Sequence, residues 1–392
     1  MRASATGWVV LAACVCATAE AAQTWLRYRL SPCPQANVEI AYLPGIYERL
    51  SGTRPPELKT PPPNLSGKPF FGRVLGKRLV VLDRGRPNSS VYDLLWLDRN
   101  KDGRLSDDER FELKLAHQGY RGATVSLEFD GAILQIFTVL ARVTSDMAFV
   151  QVLNAGYYSG DVAFGDKAYR VALVDRNANG LFNDATKDGV HGDLVLIDQN
   201  GDGRFDARRR ESQDLFYVGK YVRVDGKFWR VVVAPDGAEI GVERAEPAMG
   251  RLQLDEKDVA IVIVGQEGRY CLSRETDGEL FETPAGSYEL ESVFIRRETR
   301  DGRHWTLKSR EGRKPFSVVE NQTTKVNVGD PLVAVAMADR GGGAIRFNFD
   351  LLGEDGLSYQ VLVDGSLGTA MPRLELKAKD GSWRKEHAFQ YG

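Results

Sequence analysis

The chain has 392 residues, a length sufficient for two or three domains with cores of their own. Its 52 Lys and Arg residues nearly balance 54 Asp and Glu residues, which argues against a basic nucleic-acid-binding surface and against a disordered acidic tail. The 40 glycines, many of them in Asp-Gly pairs, indicate frequent tight turns and favour an all-β chain.

The first 22 residues have the pattern of a targeting segment. Arg2 precedes an apolar run, residues 8–19, that is too short to span a bilayer as a helix. Residues 19–21 (Ala-Glu-Ala) offer a small-residue cleavage site, so we expect a signal peptide at 1–22 and an exported chain that is secreted, periplasmic or at the cell surface. The alternative is a lipoprotein anchored at Cys14, because residues 11–14 resemble the bacterial lipobox. No later segment predicts a membrane span.

Residues 23–67 read as an N-terminal segment and a Pro-rich linker, irregular apart from a candidate short helix at residues 37–50. Cys33 lies in this segment, and Cys271 lies in a different predicted region. Export would permit a disulfide between the two cysteines. Two separate thiols are an equal alternative, and the spacing resembles no zinc site.

Residues 68–248 contain an internal repeat, which we divide into 68–155 and 156–248. Two pairs of segments match in order: Leu79–Asp83 with Val171–Asp175, and Tyr92–Asp98 with Gly192–Asp198. In both copies an Asp-rich loop follows the second segment, and a hairpin turning at Asp-Gly follows the loop. In the second copy this hairpin is predicted at residues 221–231. The repeat predicts two copies of one β-rich module.

Residues 249–392 lack such loops and predict a C-terminal β-sandwich. Their strand candidates are 259–264, 287–291 and 359–363. Residues 284–290 (Pro-Ala-Gly-Ser-Tyr-Glu-Leu) resemble the turn and strand of carboxypeptidase-regulatory-like, prealbumin-type β-sandwiches. The expected fold class is all-β, with a duplicated β-rich module followed by a sandwich.

The loop at residues 98–109 carries the most specific pattern in the chain. Oxygen-bearing side chains stand at loop positions 1, 3, 5 and 9, with glycine at 6, an apolar residue at 8 and glutamate at 12. Calcium takes about six to eight oxygen ligands, and this spacing wraps one short segment around one ion. The predicted ligands are Asp98, Asn100, Asp102, the carbonyl of Arg104, Ser106 and Glu109.

Two further loops keep most of this pattern. The predicted ligands of the second, residues 175–186, are Asp175, Asn177, Asn179, the carbonyl of Leu181 and Asn183. Thr186 stands at position 12, which leaves Asp184, Asp188 or Asp193 to complete the shell, and we select Asp193 because it could also bridge to the third loop. The predicted ligands of the third, residues 198–209, are Asp198, Asn200, Asp202, the carbonyl of Arg204 and Asp206. Arg209 at position 12 cannot bind calcium, so Glu211 or an acidic residue from elsewhere must complete this shell.

The three loops resemble those of EF-hand proteins and of dockerin-type repeats. The resemblance implies Ca²⁺ rather than Mg²⁺, because many protein oxygens are offered in a flexible loop. A metal-free Asx turn is the alternative for any one loop, but three copies of the order D-x-N-x-[DN]-G favour binding. The run Leu194–Ile197 before the third loop has the pattern of a buried strand. We therefore expect strands beside the loops, with helix-loop-helix as the second interpretation.

No motif points to catalysis. The sequence has no H-E-x-x-H and no G-x-S-x-G, and residues 382–385 match a bare S-x-x-K without its partner motifs. We expect structural calcium and a non-catalytic binding or structural role in the cell envelope or outside the cell, with an unidentified polymer or protein partner. The alternative is a calcium-stabilised extracellular hydrolase of a polymer. A calcium sensor would require helices beside residues 98–109.

Overall fold

The computed structural model describes residues 22–30, 45–86, 88–116, 120–129, 133–144, 147–187, 190–205, 212–274, 278–298, 302, 304–310, 314–341, 344–363, 366–367 and 373–388. Strands take up 61% of them, and the all-β prediction is confirmed. The predicted signal peptide, Cys14 and Cys33 lie outside these ranges. In the described part of the chain, no helix has the length and apolar character needed to cross a bilayer.

In the described part of the chain before the C-terminal region there are eighteen strands and a short 3-10 helix, Asp107–Glu109. The strands are β1 (Ala22–Trp25), β2 (Arg27–Leu30), β3 (Gly45–Leu50), β4 (Phe70–Val74), β5 (Arg78–Asp83), β6 (Leu94–Leu97), β7 (Arg110–Glu112), β8 (Lys114–Leu115), β9 (Arg121–Phe129), β10 (Ile133–Val143), β11 (Ala148–Asn154), β12 (Gly156–Phe164), β13 (Lys167–Val174), β14 (Leu194–Ile197), β15 (Leu215–Tyr217), β16 (Tyr221–Val224), β17 (Lys227–Val233) and β18 (Glu239–Ala245).

The C-terminal region continues with fourteen strands among the described residues. They are β19 (Met249–Leu254), β20 (Val259–Gly265), β21 (Gly268–Ser273), β22 (Leu280–Pro284), β23 (Gly286–Glu298), β24 (His304–Ser309), β25 (Pro315–Val318), β26 (Thr323–Val326), β27 (Val333–Gly341), β28 (Ala344–Leu352), β29 (Tyr359–Val363), β30 (Ser366–Leu367), β31 (Arg373–Lys377) and β32 (Arg384–Ala388).

The first sandwich is built from two antiparallel sheets, in the orders β4-β5-β6-β7 and β3-β11-β10-β9-β8. Alternate residues of β5, β6, β9, β10 and β11 point into one shared core. Val80 and Leu82 of β5, for example, face Leu127 of β9 and Val139 of β10 in that core. This alternation is what a half-buried antiparallel sheet requires.

The second sandwich has a similar arrangement. Its sheets run β15-β14-β13-β12-β2 and β1-β18-β17-β16, again around one core. The predicted hairpin is present as β16 and β17, joined at Asp225 and Gly226, whose φ angles of 48° and 71° suit a two-residue hairpin turn. The internal duplication itself stays a prediction.

The pairing register differs by one residue from the sequence match between the two copies. The N–H of Asp98 donates to Leu79 (2.9 Å), whereas the N–H of Asp198 donates to Arg170 (3.0 Å). In the structure Leu79 therefore corresponds to Arg170, whereas the sequence match aligned Leu79 with Val171. As a result, Asp83 ends strand β5, but Asp175 follows strand β13 and begins a loop.

The N-terminal segment is not irregular throughout, contrary to our expectation. Strand β1 pairs with β18, β2 with β12, and β3 with β11. The prediction of a short helix at residues 37–50 is wrong for Gly45–Leu50, which form strand β3. Residues 37–44 lie outside the described residues. Partners about 100 residues or more away along the chain supply the backbone hydrogen bonds that these short strands need. Local sequence patterns do not report such partners.

The C-terminal sandwich packs a three-stranded sheet, β22-β19-β26, against a larger sheet in the order β21-β20-β23-β24-β29-β30, with β25 paired to β23. The strand candidates at 259–264, 287–291 and 359–363 fall within β20, β23 and β29. Two hairpins, β27-β28 and β31-β32, are paired separately from these sheets.

Candidate calcium-binding loops

Each of the three loops leaves a buried strand. The first follows β6, the second follows β13, and the third follows β14. The apolar residue at position 8 (Leu105, Phe182 and Phe205) is buried in a hydrophobic cluster in every case. A strand thus fixes the start of each loop and an apolar side chain fixes its far end. Strands lie beside these loops, as the sequence interpretation preferred.

The aspartate at position 1 of each loop (Asp98, Asp175 or Asp198) accepts two backbone N–H groups. One carboxylate oxygen accepts from the glycine at position 6, at 3.1, 2.8 and 2.9 Å respectively. The other accepts from position 5 in the first two loops (3.1 and 3.3 Å) and from position 4 in the third (2.8 Å). These bonds fold the backbone around the carboxylate.

The side chains at positions 3 and 5 repeat a second pattern. At position 3, Asn100, Asn177 and Asn200 accept the N–H of position 5 at 3.0, 3.0 and 2.9 Å. At position 5, Asp102, Asn179 and Asp202 accept the N–H of position 7, from Arg104, Leu181 and Arg204, at 2.7, 2.8 and 2.8 Å. Each side-chain oxygen has two lone pairs. One lone pair accepts the N–H, and the other remains available to a cation.

Each loop is closed by a carboxylate that stands later in the sequence than position 6 and accepts the backbone N–H of position 2. The acceptors are Glu109 (2.7 Å from the N of Arg99), Asp193 (2.8 Å from the N of Arg176) and Asp214 (3.3 Å from the N of Gln199). The sequence pattern selected Glu109 and Asp193 but missed Asp214. Counted from position 1, these residues stand at positions 12, 19 and 17. Only the first fits a fixed spacing, so tertiary structure supplies the other two.

Asp184 is a further carboxylate of the second loop. The side-chain amides of Asn177 and Asn179 donate to it at 2.7 and 2.6 Å, and its own N–H donates to Asp193 at 2.8 Å. Thr186, at position 12, has a different role: its Oγ1 accepts the N–H of Gly192 at 3.0 Å. The second loop therefore gathers three carboxylates, although its first six positions contain only one.

The predicted ligands at position 9 have surroundings that differ from loop to loop. Ser106 donates its hydroxyl to Asp108 (2.6 Å) and its N–H to Glu109 (3.2 Å), and Asn183 is partly exposed. Asp206, Arg209, Glu211 and Asp188 lie outside the described residues.

Burial of these carboxylates is electrostatically unfavourable without a cation. Asp175 and Asp193 are each 1% exposed. Burial raises the pKa of Asp175 to about 7, against the opposing hydrogen bonds from Gly180 and Asn179. Burial, together with the charge of Asp175, raises the pKa of Asp193 to about 8. Burial also raises the pKa of Asp98, and the neighbouring Glu109 adds to that effect.

Among the described residues, no group of three or more His, Cys, Asp or Glu side chains is placed to hold a metal ion by itself. The loops would therefore depend on asparagine and backbone carbonyl oxygens in addition to their carboxylates, as calcium sites commonly do.

Comparison with known proteins identifies no family. No family model matches the chain, and no curated protein matches it. Among solved structures, a leucine-rich repeat protein from Bacteroides thetaiotaomicron is similar at 12% identity over 54% of this chain and 24% of that chain, with a TM-score of 0.17. The match spans about a quarter of that protein's length, and a likeness at this score carries no argument about fold or function.

Proposed function

We propose that this chain is an exported calcium-binding protein whose three loops hold structural calcium. The supporting observation is that in all three loops the position-1 carboxylate accepts the N–H of the glycine at position 6, and a second carboxylate accepts the N–H of position 2. An isolated Asx turn needs only a side-chain oxygen that accepts the N–H two residues further on, as at positions 3 and 5. Closure by a second, buried carboxylate brings negative charges together, and a bound cation would offset their repulsion.

The surroundings of the loops favour a structural ion over a switch. A sensor EF-hand responds to calcium by changing the angle between two helices. Here the loops join strands whose registers are set by ladder hydrogen bonds, as in β13-β14 and β14-β15. Extracellular calcium modules bind with a Kd on the order of 10⁻⁴–10⁻³ M. A site filled at a hundred times its Kd stabilises the fold by about 2.7 kcal/mol.

The proposed role is non-catalytic: binding or structural support in the cell envelope or outside the cell. The alternative, a polymer hydrolase, would need unpaired carboxylates in a cleft away from the loops. A cleft of about 590 Å³ is lined by His191, Glu267 and Glu289. Glu267 already pairs with Lys220 at 2.8 Å, and Thr186 of the second loop also lines this cleft, so the cleft does not meet that requirement.

The test is calorimetric titration with calcium and thermal unfolding in calcium or in chelator, for the parent, Asp98→Ala and Asp198→Ala. We expect three ions bound by the parent and two by each variant, with a smaller effect of chelator on each variant's melting temperature. Asp255→Ala, which removes an exposed aspartate paired with Lys325, is the matched control and should bind three. Identical parent melting curves in both buffers, with no heat of binding, would refute calcium binding.

A further inference from the structure

The second loop lies between the two sandwiches. Ala178, at position 4, is 0% exposed and belongs to the core of the first sandwich, although the loop extends from β13 of the second. Gly180, at position 6, approaches Phe129 of β9 so closely that an added Cβ would lie 2.3 Å from the ring. Asn154, the last residue of β11, donates its side-chain amide to the carbonyl of Asp175. Three contacts thus join this loop to the first sandwich.

The far end of the same loop belongs to the second sandwich. Phe182 lies in that core and packs edge-on against Tyr158, with ring centroids 5.2 Å apart. The N–H of Phe182 donates to Pro235 at 2.9 Å. Within five residues, from 178 to 182, the chain passes from one hydrophobic core to the other. The conformation of this short segment therefore affects how the two cores are joined.

The other two loops do not share this placement. At position 4 the first loop has Lys101, which is exposed, and the third has Gly201, with no atom within 4 Å of an added Cβ. Gly203, at position 6 of the third loop, also has open space around it. All three position-4 residues have left-handed backbones, with φ of 60°, 56° and 72°. The shared backbone belongs to the loop pattern, whereas burial in a second core is particular to residue 178.

The carboxylates of this loop lie next to the joining segment. Asp175 accepts the N–H of Gly180 at 2.8 Å, and Asp193 accepts the N–H of Arg176 at 2.8 Å. Asp184 lies close enough to both to add to their mutual repulsion. A cation bound here would offset that repulsion and keep Ala178 and Gly180 in contact with the first core. Without it, the same repulsion acts to open the loop.

We infer that calcium bound in the second loop stabilises the contacts that join the two sandwiches. This inference rests on the proposed calcium binding and extends it from local stabilisation to the coupling of two cores. By linkage, contacts that calcium stabilises must in turn strengthen calcium binding by the same factor.

The first test is hydrogen exchange on the full chain, in calcium and in chelator, read at residues 121–129 and 133–141. Calcium should slow exchange in these segments of the first sandwich. In Asp98→Ala, which disables the first loop, the slowing should persist. In Asp193→Asn it should be lost. If Asp193→Asn loses calcium binding at the second loop but calcium still slows exchange in these segments as it does in the parent, the inference about the joint is overturned. The proposed calcium binding itself would stand.

The second test uses linkage. Phe129→Leu truncates the ring that contacts Gly180, which is not itself a predicted ligand, and we expect it to weaken one of three calcium sites by about fivefold or more in a calorimetric titration. Val139→Ala truncates a side chain of the same core that lies opposite Ala123, near the other end of β9 from Phe129, and should leave all three affinities unchanged. Equal affinities for both variants and the parent would overturn the inference. A parent that binds no calcium would refute the proposed function itself.

Discussion

The region of the three candidate loops and the C-terminal sandwich bury carboxylates in different surroundings. In the C-terminal sandwich, Glu291 accepts from the guanidinium of Arg269 at 3.0 Å and from the hydroxyl of Tyr217 at 2.6 Å. Arg269 itself is 1% exposed and also donates to the carbonyl of Leu215 at 2.6 Å. In the loop region, Asp193 and Asp175 have backbone N–H donors and one another as neighbours.

The pKa shifts take opposite directions for that reason. Burial alone would raise the pKa of Glu291, but the charge of Arg269 and the hydrogen bond from Tyr217 lower it overall. Burial raises the pKa of Asp193, and the charge of Asp175 raises it further. The chain thus supplies its own cation for one buried carboxylate and none for the other. This contrast indicates where a cation from solution would stabilise the fold and where it would have no effect.

The largest expected loss of stability is in the C-terminal sandwich, where Arg269 supplies the cation for the buried carboxylate. Glu291→Gln leaves Arg269 buried without its charged partner, and we expect a loss of about 3–5 kcal/mol in the free energy of unfolding. Urea titrations should give the same loss in calcium and in chelator. Lys325→Ala, which breaks an exposed pair with Asp255, is the control and should cost less than about 1 kcal/mol. A loss for Glu291→Gln that appears only in calcium would contradict the comparison.

The next effect should depend on the buffer. Asp193→Asn removes the charge that closes the second loop. In calcium at a hundred times the Kd, the variant should therefore lose about 2.7 kcal/mol of its free energy of unfolding. In chelator above about pH 8, where Asp193 of the parent is ionised, the amide no longer repels Asp175, so the variant should be as stable as the parent or more stable. Thermal unfolding in the two buffers measures both. An equal loss in both buffers would show that Asp193 acts through hydrogen bonds alone.

The smallest effect concerns the residue that the loop pattern missed. Asp214→Asn keeps an acceptor for the N–H of Gln199 but removes the charge, and we expect the affinity of one calcium site to fall about tenfold, or about 1.4 kcal/mol. Calorimetric titration gives the individual affinities. Asp236→Asn, at a turn of the same sandwich where Asp236 accepts the N–H of Ala238, is the control. If Asp214→Asn binds like the parent, another group closes the third loop.

Several features could be predicted from local sequence because they depend on local physics. The hairpin at Asp225-Gly226 needs only strand-forming residues and a turn pair that tolerates positive φ. The first six positions of each loop are likewise local, because an aspartate at position 1 binds N–H groups only three to five residues away. The all-β class follows from the same repetition of short apolar runs and Asp-Gly turns.

Tertiary structure decided the remaining features, because they join residues far apart in the chain. Strand β1 pairs with β18, with Ala22 opposite Val242, and no local pattern records such a partner. Ala178 has the left-handed backbone of a surface turn, yet the packing of the first sandwich buries it. Asp214 lies beside its loop because β15, which begins at Leu215, pairs with β14. Burial and closure depend on which distant surfaces meet, whereas turns depend on the backbone preferences of neighbouring residues.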